Sequence, residues 1–256
     1  MVSAKQFKYY SSLLHKKFRN EENKFIVEGK KILEEGLKSN YNCEIIFATR
    51  QFVEKEKKFL NKINLSSIRT EIITNSDLKK ISDTQNPQGI AAVFKKLKKN
   101  KSDVESDIVV CLEDISEPGN LGTIIRNCDW FGIKKIFLSS DCAELYNPKT
   151  IRASMGSLFH LSIIENVQLN KTLMELKKNG FRILSSDING TDVFSINKRI
   201  KSAVIFSNEA AGPNNEILNL SDMIITIPKI GKAESLNVAS ASAVILAELT
   251  NYFPKA

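Results

Sequence analysis

Three short stretches gather glycines and polar side chains just beyond apolar runs. SEPGNLGTIIR, after IVVCLEDI, offers Asn120, Gly122 and Arg126. EAAGP, after SAVIFSN, offers Glu209 and Gly212, and KIGKAESLN, after MIITIP, offers Gly231, Ser235 and Asn237. Loops of this make combine small residues, free backbone groups and a few hydrogen-bonding side chains, which suits a polar ligand. Within NLGTIIRNCDWFGI, Ile124, Ile125, Cys128 and Phe131 fall on one helical stripe, while Arg126 lies roughly opposite with Trp130 one turn on. That helix is therefore contacted on two sides. Familiar alternatives are missing: no G-x-G-x-x-G follows the first strand and no G-x-x-x-x-G-K-[ST] occurs anywhere. There is no G-x-S-x-G elbow, and neither His15 nor His160 sits at a strand end, which argues against a hydrolase triad. Read singly, each loop also has a plain structural explanation. Gly119 and Gly122 would serve a tight turn, Glu209 would cap the helix after it, and Ser235 would be an N-cap with Asn237 inside the first turn.

The elements that must position these loops alternate. Before residue 95, KQFKYYSSLLHKKF reads as one helix, KFIVEG as a strand and KKILEEGLKS as a helix. EIIFAT, TEIIT and GIAAVF read as strands and NSDLKKIS as a helix, giving a small α/β domain. Lys5, Lys8, Lys16, Lys17, Arg19, Lys30 and Lys31 crowd its helices, a density that suits a nucleic-acid surface or a solvated face. KKLKKNKSDVESD, residues 95–107, is charged and poor in large apolar residues, and reads as a linker or exposed crossing. Beyond it, IVVCLEDI is an unbroken apolar strand of the kind buried in a parallel sheet. KKIFLSS, HLSIIE, FRILSSDI, SAVIFSNE and MIITIP follow as strands, interleaved with helices at 120–132, 148–159 and 169–180 and closed by SLNVASASAVILAEL. The implied architecture is an open parallel sheet covered on both faces, with ligands beyond the carboxyl ends of the strands. The run Ala239, Ser240, Ala241, Ser242, Ala243 lets another backbone approach the last helix closely.

Composition bounds the partners. A 256-residue chain with 42% hydrophobic and 26% charged residues is ordinary globular protein, long enough for two domains. The formal charge of +8 fits a polyanionic partner such as RNA or DNA. Cys43, Cys111, Cys128 and Cys142 show no paired spacing, so buried thiols in a reducing compartment are expected rather than disulfides or zinc. Two distant histidines argue against a histidine metal site, and no metal is expected. MVSAKQFKYYSS lacks a signal-peptide core, and no apolar run approaches the ~18 residues of a membrane span, so a cytoplasmic protein is expected.

Taken in order, EDISEPGNLGTIIRNCDWFGI, IFSNEAAGP and ITIPKIGKAESLNVASASAVILAEL resemble the three motifs of the SpoU (TrmH-like) family of RNA ribose 2′-O-methyltransferases. PKTIRASMGSLFHL between them is similar too. Upstream, HKKFRNEENKFIVEGKKILEEGL and ISDTQNPQGIAAVF resemble the ribosomal-protein-L30e-like RNA-binding domain that precedes the catalytic domain in many members. The resemblance implies an L30e-like domain at 1–98, a linker at 99–106 and a methyltransferase domain at 107–256. It implies a SPOUT-type α/β knot, with the C-terminal segment threaded through a loop as a deep trefoil, and a homodimer whose sites are completed across the interface. It implies S-adenosylmethionine as cofactor, held largely by backbone groups near Ser207, Gly212, Ile227 and Leu236. Asn120, Arg126, Glu209, Ser235 and Asn237 match the family's polar positions, with Arg126 at the ribose hydroxyl. One departure is Ser207, where the second motif often opens with glycine; its hydroxyl would either crowd the cofactor or point away.

In such a reaction a ribose 2′-oxygen attacks a sulfonium methyl, and the protein must align the atoms and deal with a weakly acidic proton. Arginine side chains hold their own proton to above about pH 12. Arg126 would therefore either act as a base after losing its proton to a phosphate, or stay charged, clamp a phosphate and stabilise the developing alkoxide; physical grounds favour the second. Guanosine in 23S rRNA is the target by family analogy. Rival readings are a tRNA 2′-O-methyltransferase, a non-catalytic RNA-binding or ribosome-assembly protein, and a nucleotide-dependent oxidoreductase.

Overall fold

The computed structural model describes residues 2–64, 68–97, 106–197, 200–208 and 212–251. Contacts divide the chain into two compact units, Met1–Lys98 with Tyr146–Phe159, and Lys99–Leu145 with His160–Ala256. Residues 146–159, which the sequence places within the C-terminal domain, thus cluster with the N-terminal unit.

In the first unit, chain order runs α1 (Ala4–Ser12), α2 (Lys16–Glu22), β1 (Lys24–Glu28), α3 (Lys30–Lys38), β2 (Cys43–Thr49), α4 (Arg50–Lys55), α5 (Lys57–Asn64), β3 (Thr70–Ile73), α6 (Asn75–Lys80) and β4 (Ile90–Lys95). Its sheet has the order β1-β4-β2-β3, with β2 and β3 parallel and β4 antiparallel to both its neighbours. The helix expected over residues 5–18 is two helices, broken at Leu13. Leu13 is fully buried, and its carbonyl, left without a helical partner, accepts a 2.9 Å bond from the Arg19 guanidinium. Arg19 is consequently only 2% exposed and is no part of a basic surface, unlike its neighbours Lys16 and Lys17. α4 and α5 were not legible in the sequence.

The second unit contains β5 (Ile108–Glu113), α7 (Pro118–Trp130), β6 (Lys135–Ser139), β7 (Ser162–Val167), α9 (Leu169–Lys178), β8 (Arg182–Asp192), β9 (Ser202–Ser207), α10 (Asn215–Leu220), β10 (Met223–Thr226) and α11 (Val238–Thr250). Between β6 and β7 the chain makes α8 (Pro148–Ser154) and a 3-10 turn, Ser157–Phe159, both in the first unit. The six strands form an all-parallel sheet in the order β10-β8-β9-β5-β6-β7. Its central strands β5 and β9 are buried at every residue, which is why they read as continuous apolar runs. Val109, Cys111, Ile183, Ala203 and Ile205 pack with Leu169 and Leu173 of α9 and Ile217 of α10. Val110, Leu112, Val204 and Phe206 alternate with them and are equally buried, and α11 lies on β9 packed against α7.

The small-residue run of α11 serves that packing. Asn127 of α7 donates its side-chain amide to the Ala239 carbonyl at 2.9 Å and to the Ser242 hydroxyl at 3.0 Å, a close approach that large side chains would prevent. All four cysteines are free thiols. Burial pushes Cys43 and Cys111 up to about 12, and raises Cys128 and Cys142 as well. A raised pKa keeps a thiol protonated and unreactive at pH 8. Ellman's reagent is therefore expected to modify the four cysteines slowly in the native protein and rapidly in guanidinium; rapid native labelling would contradict this packing.

Candidate active site

α7 begins earlier than its sequence suggests, at Pro118 rather than Asn120. Glu117 is its N-cap, its carboxylate accepting from the Asn120 amide at 2.6 Å. A Cβ on Gly119 would lie 2.7 Å from that carboxylate, so glycine is what lets the cap close. Gly119 and Gly122 thus belong to the helix and not to a turn before it. Leu121, Gly122, Ile124, Ile125 and Cys128 form its buried side. The Arg126 side chain is exposed and makes no hydrogen bond or ion pair with any described residue, and Trp130 one turn on is 81% exposed.

The third loop reaches the first. Asn237, not Ser235, caps the last helix: its side-chain oxygen accepts from the amides of Ala239 at 3.1 Å and Ser240 at 3.4 Å. Its side-chain amide then donates to the Asn120 side-chain oxygen at 3.1 Å. The two asparagines thereby join the starts of α7 and α11. β10 lies at the sheet edge, separated from β5 by β8 and β9, so strand adjacency alone would not bring these loops together. The segment 227–237 makes the return. Residues 228–237 are all exposed, and residues 228–236, Ser235 included, make no hydrogen bond to any described residue. Leu236 is 51% exposed and Ile227 half-buried.

The second loop leaves the end of β9, directly beside β5. Ser207 pairs in register with Glu113, and its hydroxyl donates to the Glu113 carboxylate at 2.7 Å. The hydroxyl thus points into the sheet's own polar edge. Gly212 has φ +64°, in the left-handed region that favours glycine, and its amide donates to the Asn208 carbonyl at 2.8 Å. Glu209 lies outside the described residues; α10 takes its cap from Asn214, whose side-chain oxygen accepts from the Ile217 amide at 2.9 Å.

The structure therefore joins Asn120 to Asn237 and sets Ser207 and Gly212 at the neighbouring strand end. The sequence reading overlooked Glu113, Asn127 and Asn214. A charged residue closing a six-residue apolar strand was the available signal for Glu113, because a buried carboxylate needs partners.

Comparison with known proteins adds to this geometry. Residues 107–247 match the SpoU rRNA Methylase family, and residues 4–92 match the MRM3-like substrate binding domain. The 23S rRNA (guanosine(2553)-2′-O)-methyltransferase RlmP of Bacillus subtilis is 30% identical over 243 residues, covering 94% of each chain. A TrmH-family protein from Porphyromonas gingivalis, 29% identical, superposes with a TM-score of 0.85 over 97% of this chain and 98% of its own. The SpoU methyltransferase AviRb from Streptomyces viridochromogenes, solved with AdoMet, is 25% identical with a TM-score of 0.84, covering 97% of both chains. A parallel α/β sheet matching a SpoU methylase, in a chain that also matches a substrate-binding domain, defines an RNA methyltransferase. The chain belongs to the SpoU rRNA methylase family.

Proposed function

We propose that this protein methylates the 2′-oxygen of a ribose in structured RNA, a guanosine of 23S rRNA, with S-adenosylmethionine as donor. The observation that carries this reading is the meeting of Asn120 and Asn237 at the start of the helix that carries the exposed Arg126, whose side chain bonds to no described residue. Support for the target comes from the activity of the Bacillus relative, and for the cofactor from the AdoMet complex of AviRb. The chain's own residues fit that cofactor. Backbone groups along 228–236 that bond to no described residue, the exposed Leu236, the half-buried Ile227 and the left-handed backbone at Gly212 suit a ligand gripped through main-chain contacts. When bound, S-adenosylmethionine supplies a methyl group on a positively charged sulfur.

Arg126 holds a substrate phosphate and stabilises charge developing on the ribose oxygen. Asn120 and Asn237 fix the helix starts that aim it, and Ser235, on the same loop as Asn237, offers a hydroxyl that bonds to no described residue. Glu209 completes the polar set in this reading. Residues 1–98 present the RNA, 99–106 link, and 107–256 transfer the methyl group; residues 99–105 of that linker lie outside the described residues. Threading of the C-terminal segment as a deep trefoil belongs to the same reading, supported by the return of residues 227–237 from the sheet edge to α7. So does a cytoplasmic location; among the described residues no helix is long and apolar enough to cross a membrane.

The homodimer is part of the proposal. Trp130 on α7 and Val244 on α11 are exposed apolar side chains on helices packed together, the kind of surface a second copy covers. Trp130→Glu is expected to convert a dimer into a species of the 28.8 kDa chain mass in light scattering. An unchanged mass would remove this face from the interface. The function itself is tested by mass-spectrometric mapping of 2′-O-methyl groups in rRNA and tRNA from a strain lacking the protein. Loss of one 23S rRNA mark is expected; loss of a tRNA mark with intact rRNA would overturn the target.

A further inference from the structure

We propose that Glu113 is a positioning residue that holds Ser207 and Asn214, the two flanks of the cofactor site after β9, an inference that rests on the cofactor reading above. Glu113 ends β5 and is 9% exposed. A carboxylate so placed must be hydrogen-bonded. Its donors come from the two shoulders of one loop. On the near shoulder, the Ser207 hydroxyl donates to one carboxylate oxygen at 2.7 Å. On the far shoulder, the Asn214 side-chain amide donates to the other oxygen, and the Asn214 backbone amide lies 3.4 Å from the first. The next residue repeats the pattern: the Asn208 side-chain amide donates to the Asp114 carbonyl at 3.3 Å and to its carboxylate at 3.2 Å. Asp114 adopts φ +49°, and its amide is fixed by the Ser139 hydroxyl at 3.0 Å.

Ser207 and Asn208 on one side and Asn214 on the other are therefore anchored on a single strand end. Asn214 also caps α10, so the same carboxylate fixes where that helix starts. Charge matters here as well as shape. Both Glu113 oxygens accept hydrogen bonds, and glutamine would replace one acceptor with an NH₂ facing a donor. Ser207, where glycine is common in related motifs, gives this chain a donor that glycine lacks.

The test compares the 256-residue chain with Glu113→Gln, Ser207→Ala and the double variant. S-adenosylmethionine affinity is measured by calorimetry, and KM for cofactor and for RNA from initial rates. Glu113→Gln is expected to weaken cofactor binding and raise its KM by about tenfold or more, with KM for RNA unchanged and a native circular-dichroism spectrum. Ser207→Ala should shift affinity less, in the same direction, and add little to Glu113→Gln because both remove one contact. Unaltered cofactor affinity in folded Glu113→Gln, or a loss confined to kcat, overturns the proposal. Should Glu113→Gln not fold, Ser207→Ala decides: weakened binding supports the role and unaltered binding overturns it. A wild-type chain that binds no S-adenosylmethionine sinks the cofactor reading and this role together, whereas a binding wild type with indifferent variants sinks the role alone.

Discussion

Arg126→Ala is expected to lower single-turnover methylation by about 10²- to 10³-fold while leaving cofactor affinity within about twofold. The size follows from the job assigned to the side chain. A guanidinium aimed at developing negative charge is strongest in the transition state, so its loss falls on the single-turnover rate and on the RNA contact, and not on cofactor binding. The structure supplies the reason to expect a clean effect. The exposed Arg126 side chain bonds to no described residue, so its removal breaks no hydrogen bond or ion pair among the described residues. The backbone of α7 is held from elsewhere, by the Glu117 cap and by Asn127 against α11. A fall of less than about threefold would show that Arg126 stands outside the chemistry. The pH profile separates its two possible roles. A flat single-turnover rate between about pH 6 and 10 is expected for a permanently charged arginine, and an ionisation in that window would instead favour a titrating base.

Phe25→Ala is expected to destabilise the first unit by about 3–5 kcal/mol. Phe25 is fully buried on β1. Its ring centroid lies 4.5 Å from that of Tyr146, 5.9 Å from Tyr41, 6.0 Å from Phe94 and 6.2 Å from Phe159. Truncation removes the ring around which the others pack and leaves a cavity that four rigid neighbours cannot close. Domains of this size are stable by roughly 5–15 kcal/mol, so the loss is a large fraction of what holds the unit together. Hydrogen exchange at the β1 and β4 amides measures it directly. Protection reduced by less than about 1 kcal/mol would mean that Phe25 does not centre this core.

Two of the five rings in that cluster, Tyr146 and Phe159, come from a segment more than fifty residues beyond β4 in sequence. Nothing in the local pattern of PKTIRASMGSLF distinguishes a helix that packs on its own sheet from one that joins another unit, because periodicity reports that a face is buried and not by what. The same limit explains Arg19. Its position among lysines makes it look like surface charge, and only the break at Leu13 gives its guanidinium an internal carbonyl to satisfy. It also explains the last helix. Ser235 and Asn237 are equally good capping types two residues apart, and the choice of Asn237 follows from the Asn120 contact that only the folded chain provides.

By itself the sequence determined the strand-helix alternation of the C-terminal part, the burial of its central strands, the three loops at the strand ends and the family they belong to. These are legible because apolar runs, glycines and polar motifs are local signals whose physical causes lie within a few residues. Tertiary structure alone decided how the loops meet. β5 and β9 are neighbours in the sheet though 94 positions separate Ser207 from its in-register partner Glu113, and β10 is not a neighbour of either strand. The carboxylate of Glu113 reaches both ends of one loop, and Asn237 reaches back to Asn120 across the returning chain. Such contacts join residues about a hundred positions apart, and no spacing in the sequence encodes them.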